Sequence, residues 1–246
     1  MTTLDERPPG LPPLPDDIRR VLCVVAHPDD MEYGMSAVVS HWVRHGVAVA
    51  YLLLTAGEAG MQRPPAEVGP LRSEEQRRAC AAVGVEHLTI LDHPDGHLTE
   101  GLGLRRDIAR EIRRFTPDTV VAMNFDFEAP WGLNQADHRA AGMACIDAVR
   151  DADNTWVFPE LAEAEGLPKW HTRRILVGGG TPPTHAFRVD QASKAAAIAS
   201  LSCHEAYLAD LSWHPTPEDL LTGAFEGQGR AVGLDAAVLF RLYDLG

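Results

Sequence analysis

The chain carries one imidazole and three carboxylates within six residues, His27-Pro28-Asp29-Asp30-Met31-Glu32. Groups of this kind hold divalent cations and move protons. A lone Asp after a strand is commonly an N-cap for the next helix, and Asp29 or Asp30 could serve in that way. Two adjacent Asp residues with a Glu bring more negative charge than a cap uses. Their mutual repulsion is destabilising unless something positive sits among them. A metal site and a capping cluster are therefore the two readings of this turn, and a divalent cation is the simpler remedy for the charge. Asp137-His138 offers a second imidazole about a hundred residues later. A third polar turn, Asp92-His93-Pro94-Asp95-Gly96-His97, could add ligands, although Pro-Asp-Gly is also ordinary turn chemistry.

The elements around these residues bring them together. Val21–Ala26 is an unbroken apolar run with much β-branching and reads as a buried strand of a parallel sheet. Pro28 cannot donate to a ladder and disfavours the α region at His27, so the strand stops there. Helix-spaced apolar residues over 36–45, a strand at 47–55, a Gly/Pro-rich loop at 56–70 and a helix over 71–83 follow. Next come a strand at 87–91, a helix over 104–115, a strand at 118–123 and a helix over 137–150. Beyond an irregular stretch at 152–170 the pattern predicts strands at 174–177 and 185–189 and one long helix over 191–211. An acidic, glycine-containing segment at 216–230 precedes a last strand near 235–243.

Alternating strands and helices imply right-handed crossovers and an α/β, Rossmann-like open sheet, mostly parallel, with helices on both faces. In the strand order 3-2-1-4-5 the first and fourth strands are neighbours at the switch point, where ligands of such sheets bind. His27 and Asp30 leave the first strand and His138 lies just past the fourth, so the three converge at the carboxyl ends of strands 1 and 4. No internal repeat divides the chain. Residues 1–17 read as a Pro-rich lead-in and 18–246 as one domain.

Composition narrows the partners. The formal charge of -13 over 246 residues disfavours nucleic acid and anionic membrane surfaces, both of which attract clustered Lys and Arg. No apolar run reaches the ~20 residues of a membrane span, and the acidic, Pro-rich start is unlike a signal peptide. Cys23, Cys80, Cys145 and Cys203 show no CxxC spacing and read as reduced core thiols, consistent with a cytoplasmic protein. A homo-oligomer is left open.

At this point the sequence resembles a known family, the LmbE-like or PIG-L zinc-dependent N-deacetylases. Ala26-His27-Pro28-Asp29-Asp30-Met31-Glu32 is similar to the family's AHPDDxE signature, and Asp137-His138-Arg139 to the end of its HPDHR element. Arg72-Ser73-Glu74-Glu75 with Gly84-Val85, Asp95-Gly96 and Pro117-Asp118 extend the resemblance over residues 20–145. It implies a Zn²⁺ held by His27, Asp30 and His138, and Asp29 as general base. It further implies hydrolysis of the acetamide of a small-molecule N-acetylglucosamine-type conjugate. Two imidazoles and one carboxylate suit zinc, and three protein ligands leave a fourth position for water.

One departure stands out. Gln135 occupies a position where the family commonly has a His associated with the tetrahedral intermediate, and Gln donates a hydrogen bond but carries no charge. Either Gln135 acts more weakly or His204, near where the family places a late active-site His, takes the role. Arg72, Asp95 and Trp131 are the expected substrate contacts, with an Arg72–Glu75 pair within the helix as the alternative for Arg72. Two rival functions stay open: an amidase of the same superfamily cleaving a larger acyl or thiol-conjugate amide, and a non-catalytic nucleotide- or Mg²⁺-binding α/β protein. The absence of GxGxxG and Walker A patterns weighs against the second rival.

Overall fold

A computed structural model describes residues 10–129, 132–180 and 182–246. The elements run β1 (Arg20–Val25), α1 (Ser36–Arg44), β2 (Ala48–Leu53), α2 (Pro65–Val83), β3 (His87–Ile90), α3 (Leu102–Phe115) and β4 (Thr119–Met123). They continue with β5 (Glu128–Ala129), β6 (Gly132–Leu133), α4 (Ala136–Ala152), α5 (Pro159–Glu163), β7 (Arg174–Gly178) and β8 (His185–Arg188). The chain ends with α6 (Gln191–Ser202), α7 (Glu205–Asp210), α8 (Pro217–Ala231) and β9 (Ala237–Asp244).

Seven strands form one open sheet in the order β3-β2-β1-β4-β7-β9-β8, while β5 and β6 make a separate two-stranded hairpin. β1, β2, β3, β4 and β7 are parallel; β9 runs antiparallel between β7 and β8. The fold is thus the expected mostly parallel α/β sheet, with an antiparallel edge.

The apolar runs are continuous because the inner strands are covered on both faces. Side chains alternate across a strand, so Val21, Cys23 and Val25 of β1 enter one core cluster with Val49, Tyr51 and Leu53 of β2. Leu22, Val24 and Ala26 enter the opposite cluster with Ala50, Leu52 and Leu54. Helices α1, α2, α6 and α8 pack over the first cluster and α3 and α4 over the second. β1 feeds α1 on one face and β4 feeds α4 on the other, so the connections part at the carboxyl ends of these neighbouring strands.

Four details depart from expectation. α2 starts at Pro65 and holds Pro70 inside, so the loop is shorter than 56–70. Pro65 suits a first helical position, and Pro70 costs one backbone bond without ending a helix that packs well beyond it. The long helix over 191–211 is broken at Cys203-His204 into α6 and α7, although neither Gly nor Pro marks the break. The 216–230 segment is the helix α8, capped by Thr216 Oγ1 accepting from Asp219 N at 3.1 Å; its glycines hid the pattern. A short helix, α5, interrupts the irregular stretch.

Two glycines of α8 should respond oppositely to Ala. A Cβ at Gly223 meets nothing within 4 Å, whereas one at Gly229 would lie 2.7 Å from Leu234 O and 2.8 Å from the Ala236 backbone. Gly223→Ala should stabilise the protein by about 0.5–1 kcal/mol through helix propensity. Gly229→Ala should destabilise it by roughly 1–3 kcal/mol through overpacking. Urea unfolding of the two variants checks both signs.

Candidate metal centre

β1 ends in a turn that is held open by α2. Asp29 has φ 84, a left-handed backbone that is uncommon outside glycine, although Asp tolerates it better than most residues. Gln76 Oε1 accepts the Asp29 N–H at 3.0 Å, and its Nε2 donates to both Glu32 oxygens at 3.3 and 3.4 Å. Arg72 donates to Pro28 O at 2.7 Å, to Asp29 Oδ2 at 2.9 Å and to Gly57 O at 2.9 Å. Gly57 (φ 64) allows that approach, because a Cβ there would lie 2.3 Å from the Arg72 guanidinium. The same two α2 side chains thus fix the backbone of the turn and the carboxylate of Asp29.

The adjacent aspartates consequently face different partners. Asp30 Oδ2 accepts from His27 N at 2.8 Å, and Asp30 Oδ1 lies 3.2 Å from His138 Nε2. His27 Nδ1 is 3.7 Å from Asp30 Oδ2, and the two imidazole centroids are 5.2 Å apart. Ligand atoms of His27, Asp30 and His138 all lie within 4.8 Å of one another, so this group can hold a metal ion. A second such group, His27 with Asp95 and Asp137, shares the first imidazole.

Hydrogen bonding separates the two groups by role. His27 Nε2 sits 3.0 Å from Asp95 Oδ1 and 3.4 Å from Asp137 Oδ2. Asp137 also accepts from Gly96 N (2.7 Å) and Leu98 N (3.2 Å), and Asp95 Oδ2 accepts from Ala59 N at 2.8 Å. A protonated Nε2 donating to these carboxylates leaves Nδ1 as the lone pair that faces Asp30, the carboxylate–imidazole–metal arrangement of many metal sites. His138 is oriented similarly. Asn134 Nδ2 donates to Asn124 O (2.9 Å) and Asp126 O (3.0 Å), which turns its Oδ1 toward His138 Nδ1 at 3.0 Å and leaves Nε2 as the free ligand atom.

The electrostatics fit a cation. Asp29, Asp30, Asp95 and Asp137 are all buried. Although burial opposes a charged imidazole, the carboxylates of Asp30, Asp137 and Asp95 push His27 up to about 12. Burial would raise Asp30, yet the two imidazoles hold it well below the usual carboxylate range. Asp29 behaves oppositely: burial raises it to about 6 against the pull of Arg72. Buried negative charge around two correctly turned imidazoles is the donor chemistry that a Zn²⁺-type ion takes.

The expected site residues fare differently. His27, Asp29, Asp30, Asp95, Gln135 and His138 all line one cavity of about 470 Å³, together with Arg72. The guanidinium of Arg72 is committed to Asp29 and two carbonyls rather than to Glu75, and its face lies 4.1 Å from the Tyr207 ring centroid. Both Asp95 oxygens are occupied by His27 and Ala59 N. His204 is not on the cavity wall. It is fully buried, with Nε2 3.7 Å from Glu32 Oε2, because α6 breaks there and turns the imidazole inward. Trp131 lies outside the described residues. Sequence reasoning missed Gln76, Asn134, Tyr33 and Tyr207. Gln76 was detectable as a polar residue within the apolar spacing of α2, while Asn134 carried no signal beyond preceding the helix of His138.

Comparison with known proteins identifies the family and the fold. Residues 22–149 match the PIG-L model, described as GlcNAc-PI de-N-acetylase, and the chain belongs to that family. It is 30% identical over 168 residues to a diacetylchitobiose deacetylase of Thermococcus kodakarensis, a match covering 66% of this chain and 56% of that relative. This chain therefore spans little more than half of that relative's length. Among solved structures, the N,N'-diacetylchitobiose deacetylase of Pyrococcus horikoshii superposes with a TM-score of 0.83 at 23% identity, covering 93% of this chain and 85% of that one. GalB, the 4-carboxy-2-hydroxymuconate hydratase of Pseudomonas putida, gives 0.73 at 17% identity over 92% and 96%. A deacetylase and a hydratase thus share the fold, which leaves the reaction to be argued from the site.

If Asn134 sets the His138 tautomer, Asn134→Ala should weaken metal affinity about 10–100-fold while His138→Ala removes most of the metal. Competition with a chelating dye on the full chain measures both. Unchanged affinity in Asn134→Ala would place the tautomer under other control.

Proposed function

We propose that this protein is a zinc-dependent hydrolase that removes the N-acetyl group of a small-molecule N-acetylglucosamine-type conjugate, releasing acetate and a free amine. The observation that carries this reading is the division of labour between neighbouring carboxylates: Asp30 faces two imidazoles, while Asp29 is turned from them toward Arg72 on the same cavity. Family membership and the names of its relatives support an amide of an amino sugar as the substrate class.

His27, Asp30 and His138 would hold the zinc ion. When bound, zinc supplies a Lewis acid for the amide carbonyl and lowers the pKa of a coordinated water to about 7. Asp29 takes the proton of the attacking water at its carboxylate. It returns that proton to the amide nitrogen, which is too basic to depart unprotonated. Arg72 keeps Asp29 aimed into the cavity, and Gln135 offers a neutral hydrogen-bond donor for the acetamide oxygen. His204, sealed against Glu32, belongs to the packing behind the base. The four cysteines are unpaired, three of them buried, which supports a reducing, cytoplasmic setting. Among the described residues no helix is long and apolar enough to cross a membrane.

Acetate release across a panel of N-acetylglucosamine conjugates tests the activity, and Asp29→Asn tests the assignment of the base. The variant should keep its zinc and lose at least ~10²-fold in turnover. Normal turnover in Asp29→Asn would leave Asp29 as a turn-forming residue and move the base elsewhere.

A further inference from the structure

The turn after β1 contains a third carboxylate that the reaction outlined above does not use. Glu32 is fully buried and does not line the cavity. Among the described residues its oxygens meet only long contacts. Gln76 Nε2 lies at 3.3 and 3.4 Å, Ser200 Oγ at 3.3 Å from Oε1, and His204 Nε2 at 3.7 Å from Oε2. His204 opens a strap, residues 203–216, that is fixed to α2 where buried Glu75 Oε1 accepts from Ala206 N at 2.6 Å. Neither nitrogen of that imidazole has a hydrogen-bond partner among the described residues. A buried carboxylate met by a neutral amide, a hydroxyl and a distant imidazole gains little attraction against its desolvation. An apolar side chain of similar length would leave the core at least as stable. Stability therefore does not account for an acid at this position.

Its consequence is seen in Gln76. A glutamine amide has a donor end and an acceptor end, and it can present either one. A carboxylate accepts, so Gln76 turns its Nε2 toward Glu32, with a further contact to Cys80 Sγ at 3.6 Å. The other end, Oε1, is thereby left to accept from Asp29 N at 3.0 Å. That N–H belongs to the left-handed residue whose carboxylate faces Arg72. With the amide reversed, two donors would meet at Asp29 N, and a buried N–H would go unpaired.

We infer that Glu32 is a positioning residue for the general base: it fixes the amide orientation of Gln76, and Gln76 in turn fixes the backbone of Asp29. The inference rests on the assignment of Asp29 as base. It gives the last acidic residue of the His27–Glu32 cluster a use that is neither metal ligation nor proton transfer.

The test compares Glu32→Met, Glu32→Gln, Gln76→Met and the Glu32→Met/Gln76→Met double variant with the parent, each as the zinc-loaded full chain. Met removes the acceptor at similar length, whereas Gln keeps one acceptor oxygen and removes the charge. The readouts are acetate release from the N-acetylglucosamine conjugate turned over best by the parent, zinc content, thermal midpoint and hydrogen exchange at the Asp29 amide. Glu32→Met should lower kcat about five- to a hundredfold, the scale of leaving one buried N–H unpaired, with KM and zinc content near the parent's. Exchange of the Asp29 N–H should quicken by about tenfold or more. The midpoint of Glu32→Met should equal or exceed the parent's, the opposite of what a merely structural residue gives. Glu32→Gln should stay within about threefold of the parent in kcat and exchange, because its carbonyl oxygen can still accept from Gln76. In the Gln76→Met background, Glu32→Met should cost less than about twofold. A loss in Glu32→Gln as large as in Glu32→Met, additive effects, a loss of kcat that follows lost zinc or a lowered midpoint, or parent-like turnover of Glu32→Met would overturn the inference. Parent-like turnover of Asp29→Asn would instead remove the base assignment beneath it, an outcome readable from that single variant alone.

Discussion

The structure depends on how it accommodates buried negative charge at the end of β1. Asp30, Asp95 and Asp137 gather around one imidazole with Asp29 buried next to them, and at 4 Å two unit charges in a partly buried setting repel by about 4 kcal/mol. Each carboxylate has a separate remedy. Arg72 balances Asp29, backbone N–H groups and His27 satisfy Asp95 and Asp137, and Asp30 faces His27 and His138. The last arrangement is the one a divalent cation completes. The fold itself adds little beyond bringing the ends of β1 and β4 side by side, and a hydratase and a deacetylase use similar scaffolds.

α2 organises that accommodation. Arg72, Glu75 and Gln76 lie on its buried face among Val68, Ala79, Cys80 and Val83. Arg72 aims Asp29, Gln76 supports its left-handed backbone, and Glu75 anchors the strap that carries Tyr207. A buried arginine or glutamate without partners would cost several kcal/mol. These three are affordable only because the β1 turn and the strap meet them, so the helix, the turn and the strap specify one another.

Much of this was legible in the sequence, for a physical reason. His27, Asp30 and His138 announce themselves because strands with both faces buried read as unbroken apolar runs, and the residues that end them are conspicuous. The strand order then follows from short, right-handed crossovers. What escaped was set by tertiary contact. The break at His204 carries no Gly or Pro; it exists because Glu75 binds the N-terminus of α7. His204 therefore read as a residue of a long helix that could aim at the cavity, whereas the break buries it against Glu32. Likewise, nothing in the neighbourhood of Arg72 disclosed that its guanidinium would be held by Asp29 and two carbonyls rather than by Glu75 or a ligand. Asn134 and Tyr207 are ordinary residues whose roles arise from the surfaces they meet.

The central claim is that the metal belongs to the His27–Asp30–His138 group and that Asp95 and Asp137 serve to orient His27. Anomalous diffraction at the zinc edge from zinc-loaded crystals addresses it directly. The account predicts one peak per chain at about 2.0–2.2 Å from a ring nitrogen of His27, a carboxylate oxygen of Asp30 and Nε2 of His138. A peak lodged among His27, Asp95 and Asp137, or none at saturating zinc, would contradict it.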